Sequence, residues 1–548
     1  MIKKHVKQLF ISLILIAPCV FTVSPVSGHT DVSPQEAMEL IESNDRLLVV
    51  DVREESEFCS GHIPCAVLYP WNSGDLQERY AEIPSDRDIL VVCRSGHRSN
   101  LAANFLDLHG YTSVYDMQGG MNRWDGDRAP CGEKYPVLYF PHIATVNGWE
   151  TEICVINTSS TQTVGGTFKA YDNEGEFVSE SDTVSLGPKE RVSLVVDTTF
   201  SHPDDIGYIV FTGDFCCVKG YLRFTLGKRY RAAVPAVTRI NTNNIYIPHI
   251  VSNATWRTSV SLVNTGSSYV LMTLEFNTGQ TERIGLWPGE HKAFLVRDLP
   301  VFADGMPPDI ESGLIKNAKG IIGLALFSGG DRLSGILLRD KTATSLSYPH
   351  VVSNNIWGTG IAMFNPSAMS ADVTITPYSA DGTNLTQVNI IMAGHKKRSG
   401  SILDFELPSG TAWFVAESAG GLTGLEFIGT HDGSKLAGYS CIGATGREGI
   451  FAELERTGYT GIVFVNTEDR PAVVSLTAYD NDGGAVAAET IRLNAYQKYS
   501  KTADNLFSQD IANATYISFS SDRNISGMQI NSSSGSTMLD GLPALIIW

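Results

Sequence analysis

The sequence predicts a multidomain chain: one α/β unit with a parallel sheet, followed by four all-β sandwiches. Three observations carry this. Near-continuous apolar strands at 47–52 and 88–92 alternate with helical spacing only before about residue 135. Beyond it, apolar residues alternate with period two in short runs bounded by Gly, Asn, Asp and Ser. Within that β-rich region a single motif recurs four times, closing on Asn157, Asn264, Asn365 and Asn466 at spacings of 107, 101 and 101 residues.

With 548 residues the chain is too long for one compact domain, and Asp+Glu 59 against Lys+Arg 41, a net charge of −18, excludes duplex nucleic acid and anionic lipid as natural partners. At the start, Lys3, Lys4 and Lys7 precede an apolar run from Leu9 to Ala17 that continues through Val20 and Phe21 to small residues ending near Gly28. This is the form of a secretory signal. A membrane anchor needs about 20 unbroken apolar residues, and Pro18, Thr22, Ser24 and Pro25 interrupt this run. Residues 1–28 are therefore expected to be removed. What remains is an exported chain, periplasmic or extracellular, more acidic still and without a transmembrane span.

Residues 29–134 form the α/β unit. Strands at 47–52, 88–92 and 113–115 are apolar, and between the last two Leu101, Ala102, Phe105 and Leu108 recur at helical spacing before Gly110. A parallel sheet places functional groups at the C-terminal ends of its strands. Directly after the strand ending at Val92 comes Cys93-Arg94-Ser95-Gly96-His97-Arg98-Ser99, then the helix. A thiol there faces a helix N-terminus and a ring of backbone amides, with Arg94, His97 and Arg98 nearby, all of which favour thiolate over thiol.

These residues resemble the rhodanese family of sulfurtransferases. The match includes Asp51-Val52-Arg53-Glu54 with Glu57-Phe58, Gly61-His62-Ile63-Pro64 with Ala66, the loop from Cys93 to Ser99, and Gly119-Gly120-Met121 with Trp124. The resemblance implies that Cys93 takes sulfur from a small anionic donor such as thiosulfate, becomes a persulfide, and passes the sulfur to a thiol or cyanide. It further implies that Arg94, Ser95, Gly96, His97, Arg98 and Ser99 bind the donor and cradle the persulfide, while Asp51, Arg53 and His62 support the scaffold. A related branch has phosphatase activity with a loop one residue longer; the four residues between Cys93 and Arg98 give the sulfurtransferase length. Cys65 departs from the family by replacing the usual glycine after Ile63-Pro64, and Cys59 and Cys131 add two further thiols. These three are expected to form one structural disulfide with one thiol left over, or to include a thiol that resolves the Cys93 persulfide.

The repeats are expected at 135–240, 241–342, 343–444 and 445–548. Tyr139-Phe140-Pro141-His142, Tyr246-Ile247-Pro248-His249 and Tyr348-Pro349-His350 each precede a Trp-x-Thr (Trp149, Trp256, Trp357); the fourth copy has Phe451 where the others have histidine. Runs such as Val373, Ile375 and Val474, Leu476 read as half-buried antiparallel strands. Asp172-Asn173-Glu174-Gly175, Ala380-Asp381-Gly382 and Asp480-Asn481-Asp482-Gly483 read as hairpin turns in preference to calcium loops. The units resemble immunoglobulin-like or fibronectin-like modules in architecture, strung as a rod. Histidines in separate modules are given a structural role, and Cys154, Cys216 and Cys217 are expected to make a local staple in the first sandwich. No cofactor or metal is expected. Two functions compete: an exported sulfurtransferase whose sandwiches act as spacer or docking modules, or a surface or matrix binding protein, with a cell-surface or polysaccharide ligand for the repeats, whose first domain senses thiols with little turnover.

Overall fold

The computed structural model describes residues 28–44, 47–85, 87–131, 134–238, 243–441, 445–533, 535 and 538–547; the expected signal segment, apart from Gly28, lies outside them. Among the described residues no helix is long and apolar enough to cross a membrane.

The N-terminal unit is built from β1 (Thr30–Val32), α1 (Pro34–Ser43), β2 (Leu47–Asp51), α2 (Glu55–Cys59), β3 (Val67–Leu68), α3 (Asp75–Arg79), β4 (Asp88–Val92), α4 (His97–Leu108) and β5 (Val114–Met117). The strands form a parallel sheet in the order β1-β5-β4-β2-β3. Helix α1 starts where its sequence says it should, with Ser33 and Glu36 capping each other and Pro34 at the first position. Alternate residues of β2 and β4 feed two cores: Val50, Ile89 and Val91 pack under α4, Val49, Leu90 and Val92 against Phe58, Ile63 and Met121. Helix α4 forms as expected, but its buried stripe is Ser99, Ala102, Ala103 and Leu106. Leu101 and Leu108 are exposed: small residues let α4 lie close on β4 and β5, and the larger leucines point outward.

From Tyr135 onward the chain is almost entirely antiparallel strand. The first two repeats each have two separate sheets; in the third and fourth one long strand, Trp413–Thr430 and Tyr516–Ser532, passes from one sheet into the other. The repeated asparagines are buried corner pieces. Asn157 Nδ2 donates to the carbonyls of Gln162 and Leu186, and its Oδ1 accepts from Ser159 N–H. Asn264, Asn365 and Asn466 repeat the pattern. One amide thus satisfies three backbone groups where the chain turns out of the strand.

One expectation about the repeats holds in part and one is overturned. The half-buried alternation is present at Val373, Ile375 and at Val474, Leu476, but strand segments 153–157, 260–264, 361–364 and 462–466 are buried on both faces. The reason also corrects the rod: the repeats close into a ring. The edge strands Tyr230–Pro235, Arg332–Leu337, Leu436–Ser440 and Leu539–Pro543 pack against one another in cyclic order, the fourth returning to the first. Ala233, Gly335, Gly438 and Gly541 hold the same register position in these strands and line a cavity of about 10 Å³ where the four meet. A methyl group on Gly438 would come within 2.5 Å of Ser334 Oγ, so the packing requires small residues there.

The three turns read from sequence, together with a further one at Asn277, serve this ring. His291 N–H of the second repeat donates to Asn173 O of the first at 2.8 Å, Lys396 Nζ of the third to Asn277 O of the second at 3.3 Å, Lys498 N–H of the fourth to Ala380 O of the third at 3.1 Å, and Arg191 N–H of the first to Asn481 O of the fourth at 2.9 Å. The closing interface is ionic: Arg223 pairs with Glu152 and Glu453, and Arg231 with Glu455 and Asp540. Buried pairs of this kind specify which surfaces meet, because removing one partner strands the other charge.

The cysteines meet expectation in part, with one disulfide among the three of the α/β unit. Cys59 pairs with Cys131, and the remaining thiol, Cys65, pairs with Cys216 of the first sandwich across a sequence separation of 151. Cys154 and Cys217 are free, so the first sandwich has no internal staple. Cys65 has a left-handed backbone, φ 69°, unfavourable for a residue with a Cβ and of the kind a glycine would adopt freely. Replacing both Cys65 and Cys216 by serine is expected to remove on the order of 2–5 kcal/mol, read as an earlier first transition in calorimetry. Cys217→Ser should leave that transition in place; the opposite ranking would mean that Cys217 is the bridging thiol.

Candidate active site

The site is assembled at the C-terminal end of β4, the central strand. Cys93 follows Val92 directly and is fully buried, beneath a loop whose Arg94, Ser95 and His97 are exposed. Gly96 turns the loop into α4 with φ 97°, a left-handed conformation suited to glycine. That turn aims its N–H at Cys93 Sγ, 3.1 Å away. Sulfur therefore faces a backbone donor at the start of a twelve-residue helix, whose N-terminal field favours negative charge.

A second element locks the loop from behind. Met121 N–H donates to Cys93 O at 2.8 Å and Asn122 N–H to Arg94 O at 2.9 Å. This approach is possible because residue 120 is glycine: a Cβ there would lie 2.3 Å from Cys93 O and 2.7 Å from Ser95 N. The paired glycines after β5 are the sequence signal for this support.

The flanking charges are arranged differently from the sequence expectation. Arg98 forms a bidentate ion pair with Glu57, Nη1 to Oε2 at 2.7 Å and Nη2 to Oε1 at 2.8 Å. The pairing lowers the Glu57 pKa and raises that of Arg98, in each case chiefly through these hydrogen bonds. Arg98 thus ties α2 to α4, and of the expected trio only Arg94 and His97 are left exposed on the loop. The Ser99 hydroxyl is buried beside Asp116 in the flank of the sheet, so its side chain is not part of the cradle. Glu57, named in the sequence only as part of the Glu57-Phe58 match, lies 41 residues from its partner, and nothing local links the two.

Arg53 Nε reaches both Asp51 oxygens at 3.0 Å, its Nη2 donates to Asp51 Oδ2 at 2.7 Å and to Gly61 O at 2.9 Å, and the pair is buried. This clamps the end of β2 to the segment that carries His62. The His62 ring stacks on Phe58 with centroids 3.7 Å apart, and burial lowers its pKa.

The other free thiols are in surroundings that favour the neutral form. Burial pushes Cys154 up to about 11, and raises Cys217 and Cys441 as well.

A family model described as a rhodanese-like domain matches residues 33–127. A putative sulfurtransferase of Bacillus subtilis is 35% identical over 100 residues, covering 18% of this chain and 94% of that protein. A sulfurtransferase of Allochromatium vinosum is 33% identical over 94 residues, covering 17% of this chain and 86% of its own. Among solved structures, a rhodanese-related protein from Thermoplasma volcanium is 26% identical, with 18% of this chain and 97% of that chain covered and a TM-score of 0.17.

Proposed function

This chain belongs to the rhodanese-like family through residues 33–127, and on that premise we propose that it is an exported sulfurtransferase working through a persulfide of Cys93. The observation that carries the reading is the placement of Cys93 Sγ against the Gly96 N–H at the start of α4. In this scheme the Cys93 thiolate attacks the outer sulfur of thiosulfate or a persulfide. A new S–S bond forms, the donor's S–S bond breaks, and its electron pair leaves with sulfite or the donor thiolate. A thiol or cyanide acceptor then attacks the outer sulfur as its anion, and the electron pair returns to Cys93 Sγ. Arg94 and His97, exposed above the sulfur, attract the anionic donor, and the loop amides stabilise the charged sulfur.

Export is supported by the charged and apolar character of residues 1–28 and by two disulfides, Cys59–Cys131 and Cys65–Cys216, which persist in an oxidising compartment. The sandwich ring serves as a platform to which the sulfurtransferase unit is fastened; the Cys65–Cys216 bond supports that role.

Incubation of the full chain with thiosulfate is expected to add one sulfur atom, mapped by mass spectrometry to the peptide containing Cys93 and discharged by cyanide. No adduct, or an adduct confined to Cys217, would sink this assignment.

A further inference from the structure

On the flank of the α/β unit, one cluster has the composition and orientation of a metal site. Asp31 of β1 lies across from Asp116 of β5 in the parallel register. Gln118 Nε2 bridges the two, 2.9 Å from Asp31 Oδ1 and 2.9 Å from Asp116 Oδ2. His29 stands beside them with Nε2 3.6 Å from Asp31 Oδ1. One donor atom from each of the three lies within 4.8 Å of the others.

The histidine is set up as a ligand. Its Nδ1 is 3.0 Å from Asp107 Oδ2, an oxygen that also accepts the His29 backbone N–H at 2.7 Å. A carboxylate only accepts, so Nδ1 carries the proton. The Nε2 lone pair then faces the cluster, where Asn100 Nδ2 donates to it at 3.2 Å. Carboxylate–imidazole pairing of this kind fixes the tautomer and ring of metal-bound histidines. Independently, Asp116 is fully buried; the Ser99 hydroxyl and the Asn100 amide lie close enough to its carboxylate to offset part of the cost of burial, but neither closes a hydrogen bond of good geometry on Oδ1. A buried carboxylate oxygen left bare is costly, and a cation removes that cost. Asp31, with its side chain 63% exposed, opens the cluster to solvent, giving an ion a way in and leaving positions for water.

We propose that His29 Nε2, Asp31 and Asp116 bind one divalent metal ion, with Zn²⁺ the best match. Two carboxylates balance its charge, and a mixed imidazole and carboxylate set suits zinc better than the all-oxygen shells of calcium or magnesium. The Asn100 and Gln118 amides, which now hold these lone pairs, would turn aside. The ion would pin β1 to β5 at the flank of α4, whose N-terminus faces Cys93.

The test is calorimetric titration of the metal-stripped full chain with ZnCl₂, repeated with Co²⁺ and its absorption spectrum. One equivalent is expected to bind. His29→Gln and Asp31→Asn, the latter at an exposed position that the fold does not depend on, should each weaken binding at least about tenfold. Asp107→Asn, which acts only by orienting the ring, should weaken it by roughly 10–100-fold. Absence of binding, or unchanged affinity in His29→Gln and Asp31→Asn, overturns the site. A Co²⁺–thiolate charge-transfer band that disappears in Cys93→Ser also overturns it, by assigning the metal to the sulfur loop.

Discussion

Cys93→Ser is expected to reduce thiocyanate formation from thiosulfate and cyanide to the uncatalysed background, a loss of roughly 10³-fold or more. The size follows from the chemistry: a serine hydroxyl cannot become a persulfide, and no neighbouring thiol is placed to substitute. Cys59, Cys65, Cys131 and Cys216 are held in disulfides. Cys154, Cys217 and Cys441 are kept protonated by burial. The substitution is also clean. Oxygen is smaller than sulfur and can still accept the Gly96 N–H, while the loop is fixed independently by Met121 and Asn122. Thiocyanate production and circular dichroism should therefore separate: activity lost, spectrum unchanged. Cys217→Ser, compared in the same assay, should retain wild-type turnover. Substantial activity in Cys93→Ser would remove the persulfide mechanism altogether.

The second large effect is acid loosening of the ring. At three of its four joints a histidine meets a basic residue of the next repeat. His142 Nδ1 is 3.3 Å from His291 Nε2, Lys397 Nζ donates to His249 Nδ1 at 3.1 Å, and His350 feels the charge of Lys498. Burial pushes His142 down from 6.5 to about 4. Burial, and then the neighbouring base, pushes His291 and His350 to about 3 and lowers His249 well below its usual value. The folded ring thus holds these rings neutral, whereas the unfolded chain protonates them below pH 6.5. Between 6.5 and the folded values the unfolded state binds more protons, so stability falls as pH falls. Each group contributes up to ~1.4 kcal/mol per pH unit, less where solvent reaches the edge of a half-buried ring. Thermal scans between pH ~7 and ~4.5 should show the sandwich transition moving steadily down. The variant carrying His142→Phe, His249→Phe and His350→Phe, which removes the titrating rings and keeps an aromatic in each place, should flatten that slope. An unchanged slope in the triple variant would refute the assignment.

How much of the fold and the site is legible depends on sequence separation. The loop from Cys93 to Ser99 is a local object: strand, thiol, glycine turn and helix follow one another without a break, so the pattern alone places the thiol at the strand end beside the Gly96 amide. Asp51, Arg53 and His62 are also legible as scaffold, because the first two lie two residues apart and His62 opens the next segment. Arg98 reads from sequence as a free cation because its partner Glu57 sits on another helix, and no periodicity connects them. Proximity in sequence puts Ser99 in the cradle, although the helix turns its hydroxyl toward Asp116. Likewise, helical spacing predicts α4 but not its buried face, which small Ala102 and Ala103 decide by allowing close approach to the sheet.

The sequence by itself determined the elements and the chemistry carried by contiguous residues: a parallel α/β unit with a thiol at a strand end, and four β-rich repeats of about a hundred residues. Period-two alternation and turn residues act over a few positions, and that is the range over which they can specify structure. Only the tertiary structure decided that the repeats close on themselves, that Cys65 reaches Cys216, and that Arg231 meets Asp540. Those pairings join residues more than a hundred positions apart, and what selects them is the shape and charge of whole surfaces: small residues at the ring axis, glycine turns against the next strand, and buried ions that are costly unless opposite charge meets them.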